Sequence, residues 1–370
     1  MMKLLILSDA NSIHTRKWSK SLKDKGLNIK LFTLFKPKKD ILEDYKKNNI
    51  EVFYSDLNPN IRDLRSPNIS KLRYLLSLPA LFRIIKSYNP NIVHAHYASS
   101  YGFLGILSRF RPLIISVWGS DVYFFPRKNK FYAFLLRYIL IKANIVCSTS
   151  KVMKNLIERN FSIRNIHVVP FGVDTSYFKP KISKNIDFTV GTIKSIEDHN
   201  GIDCLLEAAH ILINQRNKNI KFIIIGDGTL RKAMEKKASD LDLDEKVKFY
   251  GSISHDKVSS YYHKLSIFIA VSTRESFGVS VLEAAACGIP SITSNVGGLI
   301  EVNSNNETGL IISANDPFEL AEAINKLYSD TNLRFELGIN ARKRVQKYFE
   351  WNENVNQMIS IYESCYNEKK

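Results

Sequence analysis

The sequence predicts an α/β protein made of two doubly wound, Rossmann-like domains in tandem, with a cleft between them. Short apolar runs of strand length alternate with segments of helical periodicity, a pattern typical of parallel sheets covered by helices on both faces. The pattern stops at a segment with two prolines and a glycine, residues 170–185, and then begins again. The length of 370 residues also suits two domains of ordinary size.

Each half has its own series of elements. The first half contains predicted strands at 4–7, 29–35, 50–54, 92–95, 113–117 and 145–147, with helical patterns at 72–85 and 131–141. The second half contains predicted strands at 188–193, 222–225, 247–250, 267–271 and 291–293, and closing helices at 317–327, 333–348 and 352–362. We therefore expect domains at 1–175 and 176–348, and a C-terminal helix in 349–370 that returns to the first domain.

Composition excludes several classes of protein. The four cysteines form no CxxC pair and are expected to be ordinary thiols, neither a disulfide framework nor a zinc site. The apolar run at 4–7 is too short for a signal peptide, and no run of ~20 apolar residues predicts a spanning helix. A cytoplasmic protein is expected, with peripheral contact to the inner face of the plasma membrane as a possibility.

The excess of positive over negative charge is confined to the first half of the chain. Residues 1–180 hold 30 Lys+Arg and 11 Asp+Glu, a net charge of +19, whereas residues 181–370 hold 23 and 25, a net charge of −2. The two values add to the total of +17. A basic half can meet nucleic acid, anionic lipid or phosphorylated small molecules.

The segment 271–298 carries the most informative pattern. A predicted strand enters a loop, and a helix then opens near Gly278 and ends at Gly288, with Pro290 beyond. Ligands of parallel sheets bind at the carboxyl ends of strands, where this loop lies. The N–H groups of a helix start suit a diphosphate, and Gly278 has no Cβ to obstruct its approach.

Two glutamates flank this predicted anion site. Glu275 lies in the loop, and Glu283 lies in the helix with its side chain leaning toward the loop. Carboxylates accept hydrogen bonds from vicinal hydroxyls, which a nucleotide sugar offers on its ribose and on its sugar ring. The alternative is that Glu275 is a helix-start charge and Glu283 a solvated helix residue.

The surrounding residues resemble the retaining glycosyltransferases of family 4. The resemblance is carried by Glu275-x7-Glu283, by the small-residue helix that ends in Gly288-Ile-Pro290, and by Val296-Gly-Gly298. It extends through Ile225-Gly-Asp-Gly228, Phe249-Tyr-Gly251 and residues 169–178, and it is weaker in the first half. It implies the two-domain GT-B architecture and hexosyl transfer with retention of anomeric configuration.

The resemblance also implies site roles. Glu275 would hold donor-sugar hydroxyls beside the reacting carbon, and Glu283 would hold the ribose diol. The remaining residues that it implies in the donor site are Ser276, Phe277, Gly278 and Val279 at the diphosphate, together with Gly226 and Gly251, the last of these near the nucleobase.

A departing diphosphate needs positive charge. Family members usually carry an arginine where this chain has Thr192, and a lysine several residues later. We predict that Lys194 substitutes, with His199 as a weaker second; a solvated loop lysine is the alternative. No His/Cys cluster or acidic pair has metal-binding spacing, so neither a metal nor another cofactor is expected.

The first half offers candidates for the acceptor side. Asn11 and Ser12 follow the first strand and could approach a phosphate or acceptor, or simply cap a helix. His94 and His96 end the fourth strand on one face; we expect His96 to contact substrate and His94 to lie in the core. Asp121 could orient an acceptor hydroxyl or form a turn.

The acceptor is expected to be a glycan or a lipid-linked molecule of cell-surface polysaccharide or lipopolysaccharide assembly. The basic, apolar stretches 127–137 and 71–76 could lie on an anionic bilayer or pack on the sheet. One rival function is a nucleotide-sugar epimerase of the same architecture. A nucleic-acid-binding protein is a second rival, but no helix-turn-helix, RRM or zinc-finger signature supports it.

Overall fold

The computed structural model describes residues 1–55, 57, 68–181 and 187–367 of the chain. The chain divides into two compact units, of which unit 1 comprises residues 1–169 and 355–370 and unit 2 comprises residues 170–354. Both units are parallel α/β sheets with helices, which confirms the predicted fold class.

In its described residues, unit 1 is built on seven parallel strands. These are β1 (Lys3–Leu7), β2 (Asn28–Thr33), β3 (Glu51–Tyr54), β4 (Ile92–His96), β5 (Leu113–Val117), β6 (Ile145–Ser148) and β7 (Ile166–Val168). They lie in the order β3-β2-β1-β4-β5-β6-β7. The central strands β4 and β5 are buried at every position, which is why most of their residues are apolar.

Helices connect the strands of unit 1. They are α1 (Ile13–Asp24), α2 (Lys39–Lys47), α3 (Leu78–Tyr88), α4 (Phe103–Leu107), α5 (Ser120–Tyr123), α6 (Lys130–Lys142) and α7 (Lys151–Phe161). A 3-10 helix at Asn68–Ser77 and a π-helical turn at Ala98–Gly102 complete the connections. No helix in the part of the chain that the structure describes is both long enough and apolar enough to cross a bilayer.

Unit 2, as far as the structure describes it, is built on six parallel strands. These are β8 (Thr189–Ile193), β9 (Lys221–Ile225), β10 (Val247–Gly251), β11 (Ile267–Ala270), β12 (Ser291–Ser294) and β13 (Gly309–Ile312), in the order β10-β9-β8-β11-β12-β13. Its helices are α8 (Ile202–His210), α9 (Arg231–Asp240), α10 (His255–Tyr262), α11 (Val279–Ala286), α12 (Leu299–Val302), α13 (Pro317–Ser329) and α14 (Thr331–Tyr348), with a π-helical turn at Ile211–Gln215. The last helix, α15 (Trp351–Asn367), begins in unit 2 and continues in unit 1.

Several predicted bounds were wrong. The helix predicted at 72–85 is split, because Pro79 stands in the first turn of α3 and lacks the N–H that a continuous helix would use. The side chains of residues 71 and 72, within the predicted membrane stretch 71–76, lie outside the described residues. Strands β7 and β13 were not predicted, and β7 has only three residues, too few to show a periodic pattern.

The predicted linker at 170–185 belongs to unit 2 as far as it is described. Val173 donates its N–H to the carbonyl of Phe349 at 2.9 Å and accepts from Trp351 N–H at 3.0 Å. Val173 and Phe178 are buried, so the segment packs as part of the unit. The boundary therefore falls at residue 169 and not at 175, and residues 182–185 of the predicted linker lie outside the described part of the chain.

Candidate functional site

The predicted strand–loop–helix segment is present in unit 2. Strand β11 ends at Ala270, and α11 begins at Val279 after Gly278, whose φ is +108°. A Cβ on Gly278 would lie 2.9 Å from Leu299 Cδ2, so both the backbone conformation and the space require glycine there. Phe277 is buried and packs on Phe349 with ring centroids 5.9 Å apart, so any ligand would meet its backbone and not its ring.

Lys194 and Glu275 form an ion pair at this edge of the sheet. Lys194 follows β8, Glu275 lies in the loop after β11, and their side chains are in direct contact. Lys194 Nζ also donates to Ser272 Oγ at 2.8 Å. The Lys194 side chain is 9% exposed, which contradicts the alternative of a solvated loop lysine. The lysine predicted to meet the leaving diphosphate and the glutamate predicted to hold the donor sugar are therefore neighbours.

The backbone of Glu275 is held by a pair of glycines. Gly298 N–H donates to the Glu275 carbonyl at 3.1 Å. A Cβ on Gly297, which has a φ of +51°, would lie 1.8 Å from the same oxygen. Ser276 N–H donates to Glu275 Oε1 at 3.1 Å, and Lys194 contacts Oε2, so both carboxylate oxygens already have partners. The loop is thus fixed around Glu275 before any ligand binds.

Glu283 is a partly buried residue of α11, and the alternative of a solvated carboxylate is wrong. Its side chain is 14% exposed. Tyr262 Oη donates to Glu283 Oε2 at 2.9 Å, and His255 Nε2 lies 3.8 Å from Oε1. Burial, with the adjacent carboxylate as the next cause, raises the pKa of Tyr262 well above its usual value, so the phenol remains a donor. Neither Tyr262 nor His255 was among the predicted site residues.

The glycines at the ends of β9 and β10 allow close backbone approach. Gly226, with a φ of +140°, donates its N–H to the Gly251 carbonyl at 2.9 Å. A Cβ on Gly226 would lie 1.8 Å from the Lys194 carbonyl, so Gly226 makes room for the turn that carries Lys194. Gly251 lies beside Arg231, which pairs with Asp227 and was not among the predicted site residues.

His199 contributes its backbone to this region. It lies in a 3-10 turn at Asp198–Asn200, and its carbonyl accepts from Thr273 N–H at 2.9 Å. This bond ties the loop after β8 to the loop after β11. The described structure therefore supports a role for His199 in holding the two loops together, and a direct contact of its ring with a donor stays a prediction.

Unit 1 contains a cavity of about 380 Å³ at the carboxyl ends of its strands. Its lining is largely aromatic, with serine hydroxyls among the rings. Its lining residues include His96, Trp118, Ser12, Ser8, Phe125 and Lys128. Ser12 precedes α1 in the N-cap position without making a side-chain cap, so the capping alternative does not account for its hydroxyl.

His96 is buried at the wall of this cavity. Its Nδ1 lies 3.2 Å from Ser8 Oγ, and its ring centroid is 4.7 Å from that of Trp118. Burial, reinforced by the neighbouring His94 and His14, lowers the pKa of His96 well below its usual value, so the imidazole is neutral at pH 7. A neutral imidazole can accept a hydrogen bond from a hydroxyl group or donate one to it.

His94 is a core residue, as predicted. Its Nδ1 is 2.7 Å from Tyr362 Oη on α15, and its Nε2 is 2.8 Å from Ser116 Oγ. Burial lowers the pKa of His94 to about 3. Both ring nitrogens are therefore used inside unit 1.

The predicted acceptor role of Asp121 is wrong. Its buried carboxylate accepts hydrogen bonds from the N–H groups of Ala98 at 2.9 Å, Gly119 at 2.9 Å and Trp118 at 3.2 Å. Burial raises the pKa of Asp121, and these backbone donors lower it. Because its oxygens hold the backbone at both the 98 and 118 loops, Asp121 positions Trp118 and does not face the cavity.

The side chain of Asn11 makes hydrogen bonds within the surrounding loops. Its Oδ1 accepts from Lys38 N–H at 3.0 Å, and its Nδ2 donates to Asp9 Oδ1 at 3.4 Å. These contacts fix the turn after β1 against the segment that precedes α2. The predicted contact of the Asn11 side chain with a phosphate or acceptor therefore has no support in the geometry.

Comparisons with known proteins agree with this arrangement. Residues 174–344 match the family model of group 1 glycosyl transferases, and residues 3–150 match the model described as glycosyl transferase 4-like. An uncharacterized glycosyltransferase of Methanocaldococcus jannaschii is 28% identical over 91% of this chain and 94% of its own. The capsular polysaccharide biosynthesis glycosyltransferase CapM of Staphylococcus aureus is 29% identical over 81% of this chain and 83% of its own.

A solved structure shows the same fold. Anabaena HepE in complex with UDP-glucose superimposes with a TM-score of 0.80 at 18% identity, over 98% of this chain and 100% of its own. The two family models account for most of the chain, one for each unit. The chain is therefore a glycosyltransferase with the GT-B fold, and it belongs to the family of group 1, family 4-like transferases.

Proposed function

We propose that the protein is a retaining enzyme that transfers a sugar from a nucleoside diphosphate sugar to a glycan or lipid-linked acceptor in cell-surface polysaccharide assembly. The observation that carries the proposal is the Lys194–Glu275 pair at the start of α11. A cation, a carboxylate and a helix N-terminus at one strand end suit the leaving diphosphate and the donor-sugar hydroxyls together.

The donor fits unit 2 by its chemistry. The helix start at Gly278 would receive the diphosphate, and Lys194 would offset the charge that develops on it as the sugar leaves. Glu283 keeps Oε1 at 3.8 Å from His255 while Oε2 is engaged by Tyr262, so Oε1 would accept from the ribose. The UDP-glucose bound to HepE supports a nucleotide-sugar donor for a protein of this fold.

The acceptor fits the cavity of unit 1. Aromatic rings such as Trp118 suit the apolar faces of a sugar, and the hydroxyls of Ser8 and Ser12 suit its polar edge. His96, neutral because it is buried, would orient the attacking hydroxyl. The similarity to CapM, which is named for capsular polysaccharide biosynthesis, supports a glycan or lipid-linked acceptor.

The proposed reaction needs no metal or other cofactor. Lys194 and the N–H groups of α11 supply the positive charge that a divalent ion would supply in other enzymes, and a diphosphate oxygen would take the acceptor's proton as attack occurs on the same face. Turnover in excess EDTA should equal turnover without it. A loss that added Mg²⁺ restores would contradict a metal-free mechanism.

A donor screen tests the function. The thermal unfolding of the protein should be measured with UDP-, GDP- and ADP-sugars, because a bound donor raises the melting temperature by mass action. Glu275→Ala and Glu283→Ala should abolish the rise, and Glu245→Ala, at an exposed position in unit 2, serves as the control. An epimer formed from the donor without acceptor would favour the epimerase instead. An inverted anomeric centre in the product would contradict retention.

A further inference from the structure

Helix α6 presents a stripe of large apolar side chains to solvent. Phe131 is 66% exposed, Phe134 65%, Tyr138 42% and Ile141 48%. Their spacing of three, four and three residues places them within an arc of roughly 80° on the helix. Leu136, Ile139 and Leu140 face the other way and are buried in the core of unit 1. The helix is therefore apolar on two opposite sides, and packing against the sheet explains only one of them.

Cations border this α6 stripe. On a helical projection, Lys130 and Arg137 fall on one side of the stripe and Lys142 on the other. With Arg127 and Lys128 just before the helix, the segment 127–142 holds five Lys+Arg and no Asp or Glu. Proteins rarely expose an apolar patch of this kind unless another surface covers it. The positive charges around the patch favour an anionic surface as the one that covers it.

The α6 stripe also lies next to the proposed acceptor site in the chain. Phe125 and Lys128 line the cavity that holds His96, and α6 begins two residues after Lys128. Asn129 links the two, because its side chain accepts from Tyr132 N–H at 3.1 Å and so fixes the start of the helix. A molecule held at the stripe would therefore be presented close to the cavity.

We propose that the α6 stripe docks unit 1 on an anionic lipid bilayer, with Phe131, Phe134, Tyr138 and Ile141 inserted among the lipids. Lys130, Arg137 and Lys142 then lie at the level of the headgroups. Docking of this kind would bring the enzyme to a membrane-borne acceptor. Only the purpose of docking rests on the proposed function, since docking itself is measured without turnover. Binding combines apolar burial with attraction to negative charge, so both contributions are open to test.

Sedimentation with vesicles tests the docking. Vesicles of phosphatidylcholine with phosphatidylglycerol should bind the protein, and vesicles of phosphatidylcholine alone should bind it much more weakly. Phe134→Ser should weaken binding several-fold, and Phe131→Ser with Phe134→Ser at least about tenfold. Lys130→Gln and Lys142→Gln should each cost about fivefold, and added salt should weaken binding.

Matched controls stand in unit 2. Phe318, 60% exposed on α13 beside Asp316 and Glu319, is the control for Phe134, and Phe318→Ser should leave vesicle binding unchanged. Lys232→Gln and Lys236→Gln, at exposed positions of α9, are the controls for the lysines of α6.

Three results would overturn docking by the α6 stripe. The first is that the Phe131→Ser, Phe134→Ser double variant binds vesicles as well as the unaltered protein does. The second is that the unaltered protein binds no anionic vesicles even at low salt. The third is that the unaltered protein is a stable dimer and the double variant a monomer. The last would identify a second copy of the chain as the occupant. Donor binding, measured by thermal shift on the same variants, should not change. Failure of docking is thereby distinguished from failure of the proposed function.

Discussion

Replacement of Lys194 by alanine should impair catalysis far more than stability. The side chain contacts two partners, Ser272 Oγ at 2.8 Å and the Glu275 carboxylate. Removing it leaves Glu275, whose side chain is 20% exposed, with the Ser276 N–H at 3.1 Å as a remaining partner. Loss of these contacts should lower the free energy of unfolding by about 2 kcal/mol, an amount that a two-unit protein of this size tolerates.

The effect on turnover should be larger. If Lys194 offsets the charge of the leaving diphosphate, its removal takes away an interaction that strengthens in the transition state. Such a loss costs roughly 10²–10³ in kcat, or about 3–4 kcal/mol. Lys194→Arg keeps the charge and should recover part of the rate, which a purely structural role would not predict.

Two measurements separate the effects. Urea denaturation gives the free energy of unfolding, and release of nucleoside diphosphate in the presence of acceptor gives kcat. Lys232→Ala, at an exposed position of α9, is the control and should change neither quantity. If Lys194→Ala is folded and turns over within twofold of the unaltered enzyme, Lys194 does not act on the leaving group.

Two further predictions follow from the packing. Gly297→Ala should lower donor affinity at least about tenfold, because its Cβ would lie 1.8 Å from the Glu275 carbonyl; Gly26→Ala, at a φ of +89° with open space, should cost about 1 kcal/mol of stability and leave donor affinity unchanged. Equal affinity of both variants would show that the loop adapts. The free energy of unfolding should also fall between pH 6.5 and 5 in urea titrations, since the unfolded chain protonates His94 near pH 6.5 while burial holds its folded pKa at about 3. This contribution to stability is fully present above pH 6.5 and is lost at roughly 1.4 kcal/mol per pH unit as the pH falls. His94→Gln should therefore reduce the slope of the unfolding free energy against pH by the share of one proton. An unchanged slope would assign the pH dependence to other groups.

The sequence predicted the sheets better than the polar contacts within them. Apolar runs such as β1 and β5 are recognisable because both faces of the strand are buried, and burial on both faces gives a continuous apolar pattern. The Glu275–Glu283 spacing could be recognised equally well in the sequence, because both residues lie on one short strand–loop–helix segment. Local patterns of this kind do not depend on distant parts of the chain.

Contacts between distant segments could not be predicted in the same way. Tyr262 reaches Glu283 across 21 residues, and in the sequence it is simply an aromatic residue on the apolar side of a helix. For Asp121 the sequence left two interpretations, an acceptor contact or a turn. The N–H groups of Trp118 and Gly119, three and two residues away, match the turn. Its third partner, the N–H of Ala98, lies 23 residues away and leaves no trace in the local pattern.

Unit 2 is formed by one continuous segment of the chain, residues 170–354. The two ends of this segment are joined by the hydrogen bonds of Val173 with Phe349 and Trp351. Exchange of this segment for that of another family member would need only two splice points, and would offer a direct way to change the nucleotide specificity. Unit 1 is instead assembled from both ends of the chain, so a truncation that removes Tyr362 would deprive His94 of a partner and damage the unit that we propose binds the acceptor.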